Sequence, residues 1–334
     1  MNAQLLVLSV MATAAEVPQV ERGAVADALM GHEAITESSR FPLVRWRNQP
    51  ERITRRIDAD RYEETCVPRH EKLGHRYSRI RYRSLDGVFV EGVVAVPEGF
   101  DLEHRYPAVI YNRGNWEEGR RFTFCFTGPY ELWARRGFVV LGSQYRGTAG
   151  SEGTDEWGGA DVHDVLALTE IARELPFVDP DNVFMAGSSR GGMMTYMALK
   201  RGARVNAAVA DCAVAEVHPE MSDDNVARVV PTDLEPEALR LEYEARSALA
   251  WPEALTVPIL IMHGAKDAGV PVQGAQKLSA ALTALGRPHE LVVYPEAGHC
   301  GENYPDSFVD DLFGFVDKYR VPPAGLDQPK RDAR

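Results

Sequence analysis

Cysteine is scarce in this chain: Cys66, Cys125, Cys212 and Cys300 are all that 334 residues hold, with no C-x-x-C pair among them. That scatter points neither to a zinc site nor to thioredoxin-like chemistry, and it does not settle the compartment. Long apolar runs are missing too, since no stretch reaches the roughly 18 apolar residues that would span a bilayer. Basic charge is outweighed. With 37 Lys and Arg against 49 Asp and Glu, the net charge is −12, so the chain lacks the basic footprint of a phosphate-binding surface and nucleic acid is not an expected partner. No Walker loop or dinucleotide fingerprint follows a strand, so no cofactor is implied. The one metal-like pattern, His70 to His75 in "HEKLGH", fails on geometry, because five residues turn the second His about 140° around a helix from the first.

What is present is an ordinary globular composition, 45% hydrophobic. Its charge is unevenly spread: residues 40–83 carry thirteen Lys or Arg against six Asp or Glu, a segment that either docks on an acidic body or forms a solvated basic surface. The amino terminus has an apolar run from Leu5 to Met11 followed by Ala12-Thr13-Ala14, with no Lys or Arg before it. Residues 1–20 therefore read as a signal peptide or a tail, secretion or a periplasmic location following if 1–14 are a signal peptide and a cytoplasmic one otherwise. Residues 21–75 form a polar extension, 76–320 the main domain and 321–334 a loose tail.

From Tyr77 two alternating runs meet at Leu85-Asp86-Gly87, a β-hairpin opening the main domain. Beyond it, short apolar strands alternate with amphipathic helices of 10 to 15 residues, which implies a mostly parallel sheet with helices on both faces. Functional groups should gather at the carboxyl ends of its strands. Between two core strands, residues 215–250 break the rhythm with nine acidic and three basic residues, a cap-like insertion. Its carboxylates, like Glu63 and Glu64, either hold a cationic group of a ligand or form a solvated face.

The stretch "NVFMAGSSRGGMMTYMALKRG" (182–202) reads as a buried strand running into a helix through a glycine-rich turn. Centred on Ser189 it matches G-x-S-x-G, with Gly187 and Gly191 where strand and helix pack too closely for side chains. Centred on Ser188 it would put Arg190 at a crowded position. Ser189 is the candidate nucleophile. A serine hydroxyl needs a base within hydrogen-bond reach and a carboxylate to orient that base. In α/β-hydrolases these follow in the order serine, acid, histidine. "LIMHGAKDAGVPV" places Asp267 after one buried strand, and "ELVVYPEAGHC" places His299 after the next. Asp211 is the rival acid, His263 reads as support for the acid's loop, and His289 merely opens a strand. Oxyanion donors are expected from the backbone N–H of Arg190 and from the "YNRGN" loop near Arg113 or Gly114.

The chain resembles the catalytic domain of prolyl oligopeptidase-like serine hydrolases, peptidase family S9. The resemblance rests on "YNRGN", "QYRGTAGSEGTDEWGGADVHDVLAL", "GSSRGGMMTY", "RSALAWPEAL" and "HGAKDAGVPVQGAQKLSAAL…ELVVYPEAGH", and covers roughly Tyr77 to Tyr319. It implies an α/β-hydrolase fold with Ser189, Asp267 and His299 as the triad, and a short peptide or small acyl ester as substrate. Two features depart from the family's pattern. The position matched to an oxyanion-loop tyrosine is Arg113, and about 75 residues precede the hairpin, too few for the β-propeller that screens substrates in those peptidases. The expectation is a serine peptidase working through an acyl-enzyme. A carboxylesterase or deacetylase of the same fold is the alternative, and a non-catalytic binding protein is a third reading, disfavoured by a complete triad.

Overall fold

The computed structural model describes residues 76–114, 128–217 and 234–322. His70 and His75, Glu63 and Glu64, Cys66 and Cys125, the signal peptide or tail expected at 1–20 and the extension at 21–75 lie outside the described residues. The hairpin pairs β1 (Arg76–Arg83) with β2 (Phe89–Val96), turning at Gly87, whose φ of 91° suits a residue without Cβ. There follow β3 (Tyr106–Asn112), α1 (Gly128–Ala134), β4 (Val139–Ser143), α2 (Val162–Glu174), β5 (Val178–Ser188) and α3 (Arg190–Lys200). Then come β6 (Ala208–Asp211), α4 (Pro236–Arg246), β7 (Ile259–Gly264), α5 (Val272–Ala284), β8 (His289–Tyr294) and α6 (Phe308–Lys318).

These strands form one eight-stranded sheet in the order β1-β2-β4-β3-β5-β6-β7-β8. It is antiparallel where the hairpin joins β4 and parallel from β4 to β8. Strand alternation sends Ala108 and Ile110 into one apolar layer, and Val109 and Tyr111 into the other. The first layer is closed by Val165 and Leu168 of α2, Met193 of α3 and Leu278 of α5. The second is closed by Trp133 of α1 and Phe313 and Phe315 of α6. Each such side chain contributes about 1.5–3 kcal/mol by leaving water. The doubly covered sheet is the α/β-hydrolase architecture expected from the sequence.

Strand β5 begins earlier than the apolar run at Asn182, because Asp179 accepts hydrogen bonds from the Asp181 N–H (3.1 Å) and the Asn182 amide (2.7 Å), carrying Asp-Pro-Asp-Asn through an irregular but extended stretch. Within the acidic segment, Arg240 pairs with Glu237 and Glu244, and Arg246 with Glu242, all three carboxylates largely exposed. Two arginines of this helix thus partner three of the segment's described carboxylates.

Candidate active site

The register brings Asn112 beside Gly187, and Ser188 beside Asp211, at the carboxyl ends of β3, β5 and β6. Ser189 is the single residue between β5 and α3 and takes φ 56°, ψ −122°, a region a residue with a Cβ occupies only when its surroundings enforce it. Those surroundings are glycine. A Cβ on Gly187 would stand 2.2 Å from the Gly191 carbonyl oxygen, and one on Gly191 only 1.9 Å from that of Asn112. The reason for the glycine run is therefore close backbone approach of helix to strand.

Ser189 Oγ lies 3.1 Å from His299 Nε2, and His299 Nδ1 lies 2.8 Å from Asp267 Oδ2. The other oxygen of Asp267 accepts the N–H groups of Gly269 (2.9 Å) and Val270 (2.8 Å), so its loop fixes the carboxylate. The Asp267 and His299 loops are tied to each other by Lys266 N–H donating to the Ala297 carbonyl at 2.8 Å and Ala265 N–H donating to the Tyr294 carbonyl at 2.9 Å. Burial works to raise the Asp267 carboxyl, but hydrogen bonds from His263 and His299 and the Val270 N–H outweigh it and hold it below the usual carboxylate range. The bond to Asp267 raises His299 above its ordinary value against the opposing effect of burial. The imidazole is still 36% exposed, which leaves it reachable by a substrate.

The other candidates fall elsewhere. Asp211 accepts from Tyr304 OH (2.6 Å) and Ser188 Oγ (3.2 Å) rather than from a histidine; burial raises its carboxyl, partly offset by those two bonds. His263 is fully buried with Nε2 2.8 Å from the Val270 carbonyl and 3.2 Å from Asp267, a support for the acid loop. His289 bonds to Ser279 and the Arg287 carbonyl at the sheet edge. Gly114 lies against Ser189, since a Cβ there would be 3.5 Å from Ser189 Cβ. The Arg113 guanidinium donates to the Gln144 carbonyl at 2.6 Å, Thr148 Oγ1 at 3.2 Å and the Gly114 carbonyl at 3.1 Å.

Two features escaped the sequence reading. Cys212 and Cys300 form a disulfide that joins the residue after Asp211 to the residue after His299. Their sulfurs and a His299 nitrogen lie within 4.8 Å of one another, but bonded sulfurs are not the thiolates a soft metal takes. The second is the ion cluster under Ser189, where the buried Arg190 side chain reaches Asp155 (2.8 Å) and Asp161 (2.7 Å). Two acidic residues in the glycine-rich loop before α2 were the available signal.

A sequence profile of the prolyl oligopeptidase family matches residues 126–320, more than half of the chain. The uncharacterized peptidase YtmA of Bacillus subtilis is 27% identical over 64% of this chain and 82% of its own length. YuxL of the same species is 27% identical over 66% of this chain and 35% of its own. Dipeptidyl-peptidase 5 of Porphyromonas gingivalis is 22% identical over 71% and 37%. The chain thus spans about a third of the length of the larger curated relatives. Among solved structures, P. gingivalis dipeptidyl peptidase 4 superposes with a TM-score of 0.63 at 22% identity, covering 77% of this chain and 38% of that one. Pyrococcus horikoshii acylaminoacyl peptidase gives 0.59 at 18% identity, covering 76% and 43%. With an eight-stranded α/β-hydrolase sheet and a family match over most of it, the chain belongs to the prolyl oligopeptidase family of serine peptidases.

Proposed function

We propose that the protein hydrolyses short peptides, with Ser189 as nucleophile, His299 as general base and then acid, and Asp267 as the carboxylate that orients the imidazole. The observation that carries this reading is the continuous contact from Asp267 through His299 to a serine held at φ 56°. Ser189 Oγ bonds to the acyl carbon while His299 Nε2 takes its proton. The carbonyl oxygen becomes an oxyanion received by the N–H groups of Arg190 and Gly114. His299 then gives its proton to the departing nitrogen as the C–N bond breaks, leaving an acyl-enzyme. Water, deprotonated by the same imidazole, attacks that ester and releases the acid and free Ser189.

The names dipeptidyl-peptidase and acylaminoacyl peptidase make dipeptidyl and acylaminoacyl groups the first acyl parts to test. The experiment is covalent labelling by a fluorophosphonate, together with a panel of dipeptidyl and acylaminoacyl p-nitroanilides and acyl p-nitrophenyl esters. Labelling and anilide turnover are expected, both abolished in Ser189→Ala. Turnover confined to esters would replace the peptidase assignment with an esterase, and an unlabelled wild type would remove Ser189 from the mechanism.

A further inference from the structure

Tyr145 sits in the "QYRG" stretch after β4, remote in sequence from all three triad residues, yet its hydroxyl donates to the carbonyl of Arg113 at 3.0 Å. The residue is fully buried and takes φ 62°, in the left-handed region that a side chain with a Cβ disfavours. Its neighbours lock it there: the Tyr145 N–H donates to Ser143 Oγ at 2.9 Å, and Thr148 Oγ1 donates to the Tyr145 carbonyl at 3.1 Å. The guanidinium carbons of Arg113 and Arg190 stand 4.7 and 4.6 Å from the centre of its ring. One aromatic ring therefore touches Arg190, whose backbone N–H is one expected oxyanion donor, and Arg113, which precedes the other at Gly114. Core filling alone does not account for the hydroxyl, because an apolar ring would fill the same space without a donor aimed at a backbone carbonyl.

A peptide unit is planar, and in the trans form its C=O and N–H point in opposite directions; no cis peptide occurs among the described residues. Holding the Arg113 carbonyl toward Tyr145 thus turns the Gly114 N–H away from Tyr145. Gly114 packs on Ser189, and among the described residues its N–H meets no hydrogen-bond acceptor. We propose that Tyr145 is a positioning residue for the oxyanion hole: its hydroxyl fixes the Arg113–Gly114 peptide plane so that the Gly114 N–H faces the oxygen of the acyl group on Ser189. The inference rests on the assignment of Ser189 as nucleophile.

The test compares wild type with Tyr145→Phe, measuring kcat, KM, the melting midpoint, and inhibition by a peptide boronate, which forms a tetrahedral adduct on the nucleophile. Expected are parallel falls in kcat and in boronate affinity of about tenfold, less than the 10²–10³ of deleting an oxyanion donor outright, with KM within twofold. A Tyr that acts only through packing would change the melting midpoint and not this split. A fall of less than threefold in either quantity, or a KM that rises as much as kcat falls, overturns the proposal. Where the Phe variant does not fold, 4-aminophenylalanine and 4-fluorophenylalanine at position 145 match in length and differ in donating ability. The amino residue should retain kcat and boronate affinity and the fluoro residue lose them; equal values overturn the proposal. A wild type that neither binds the boronate nor turns over substrate fails at an earlier step, the assignment of Ser189 itself.

Discussion

Replacing Arg190 by methionine keeps an apolar stem of similar reach while removing the charge next to Ser189. The side chain is 1% exposed and Asp161 is not exposed at all. After the substitution Asp161 would keep, among its described hydrogen-bond donors, only the Gly158 N–H at 2.9 Å, with Arg201 as a cation that acts on it through space. A buried carboxylate left without its counter-ion costs about 3–5 kcal/mol. Asp155, at 26% side-chain exposure, can rehydrate and adds little. For a folded unit of this size each kcal/mol moves the melting midpoint by about 2–4 °C, so Arg190→Met should lower it by roughly 6–20 °C. Scanning calorimetry on the single variant and on Arg190→Met/Asp161→Asn makes a cycle. If the penalty lies in the orphaned charge, the double variant regains at least half of the loss. A single variant within 2 °C of wild type, or a double variant no better than the single, would refute this account of the cluster.

Only a neutral imidazole can take the serine proton, so kcat/KM should rise with pH through a midpoint above the ordinary histidine value of 6.5. Asp267→Asn, which removes the bond that raises His299, should shift that midpoint downward and cut kcat by about 10³- to 10⁴-fold; an unmoved midpoint would separate it from His299. Gly191→Ala places a methyl 1.9 Å from the Asn112 oxygen, backbone against backbone, and should yield insoluble protein or a loss above about 4 kcal/mol by denaturant melt; near-wild-type stability would mean that helix and strand can part. Cys212→Ser/Cys300→Ser opens a loop with a sequence separation of 88 and should cost about 2–4 kcal/mol. Its kcat should fall with it because the His299 loop loses its tether, and unchanged turnover would show that the hydrogen bonds of that loop suffice.

Alternation and helical spacing make the sheet and most helix positions readable from the sequence, because the apolar run of nearly every strand ends at a glycine-bearing loop, β6 being the exception. The choice of Ser189 over Ser188 rested on crowding, and the atoms that a Cβ on Gly187 or Gly191 would strike are those crowding partners. Side-chain direction was less readable. The sequence points to Arg113 and Arg190 only for their backbone N–H groups, yet their guanidiniums turn toward Tyr145, a convergence of three distant segments that no local pattern announces. The disulfide is hidden for the same reason: its cysteines follow different strands, and only the parallel register of β6, β7 and β8 makes them neighbours.

Residues 189, 267 and 299 each wait at the end of a different strand, so their contact exists only after the β5 to β8 half of the sheet has closed. A nascent or partly unfolded chain holds an inert hydroxyl and an unpaired imidazole. On the proposed assignment, the capacity to cut peptides is switched on by closure of that half of the sheet, and recovery of turnover after denaturation would report this closure.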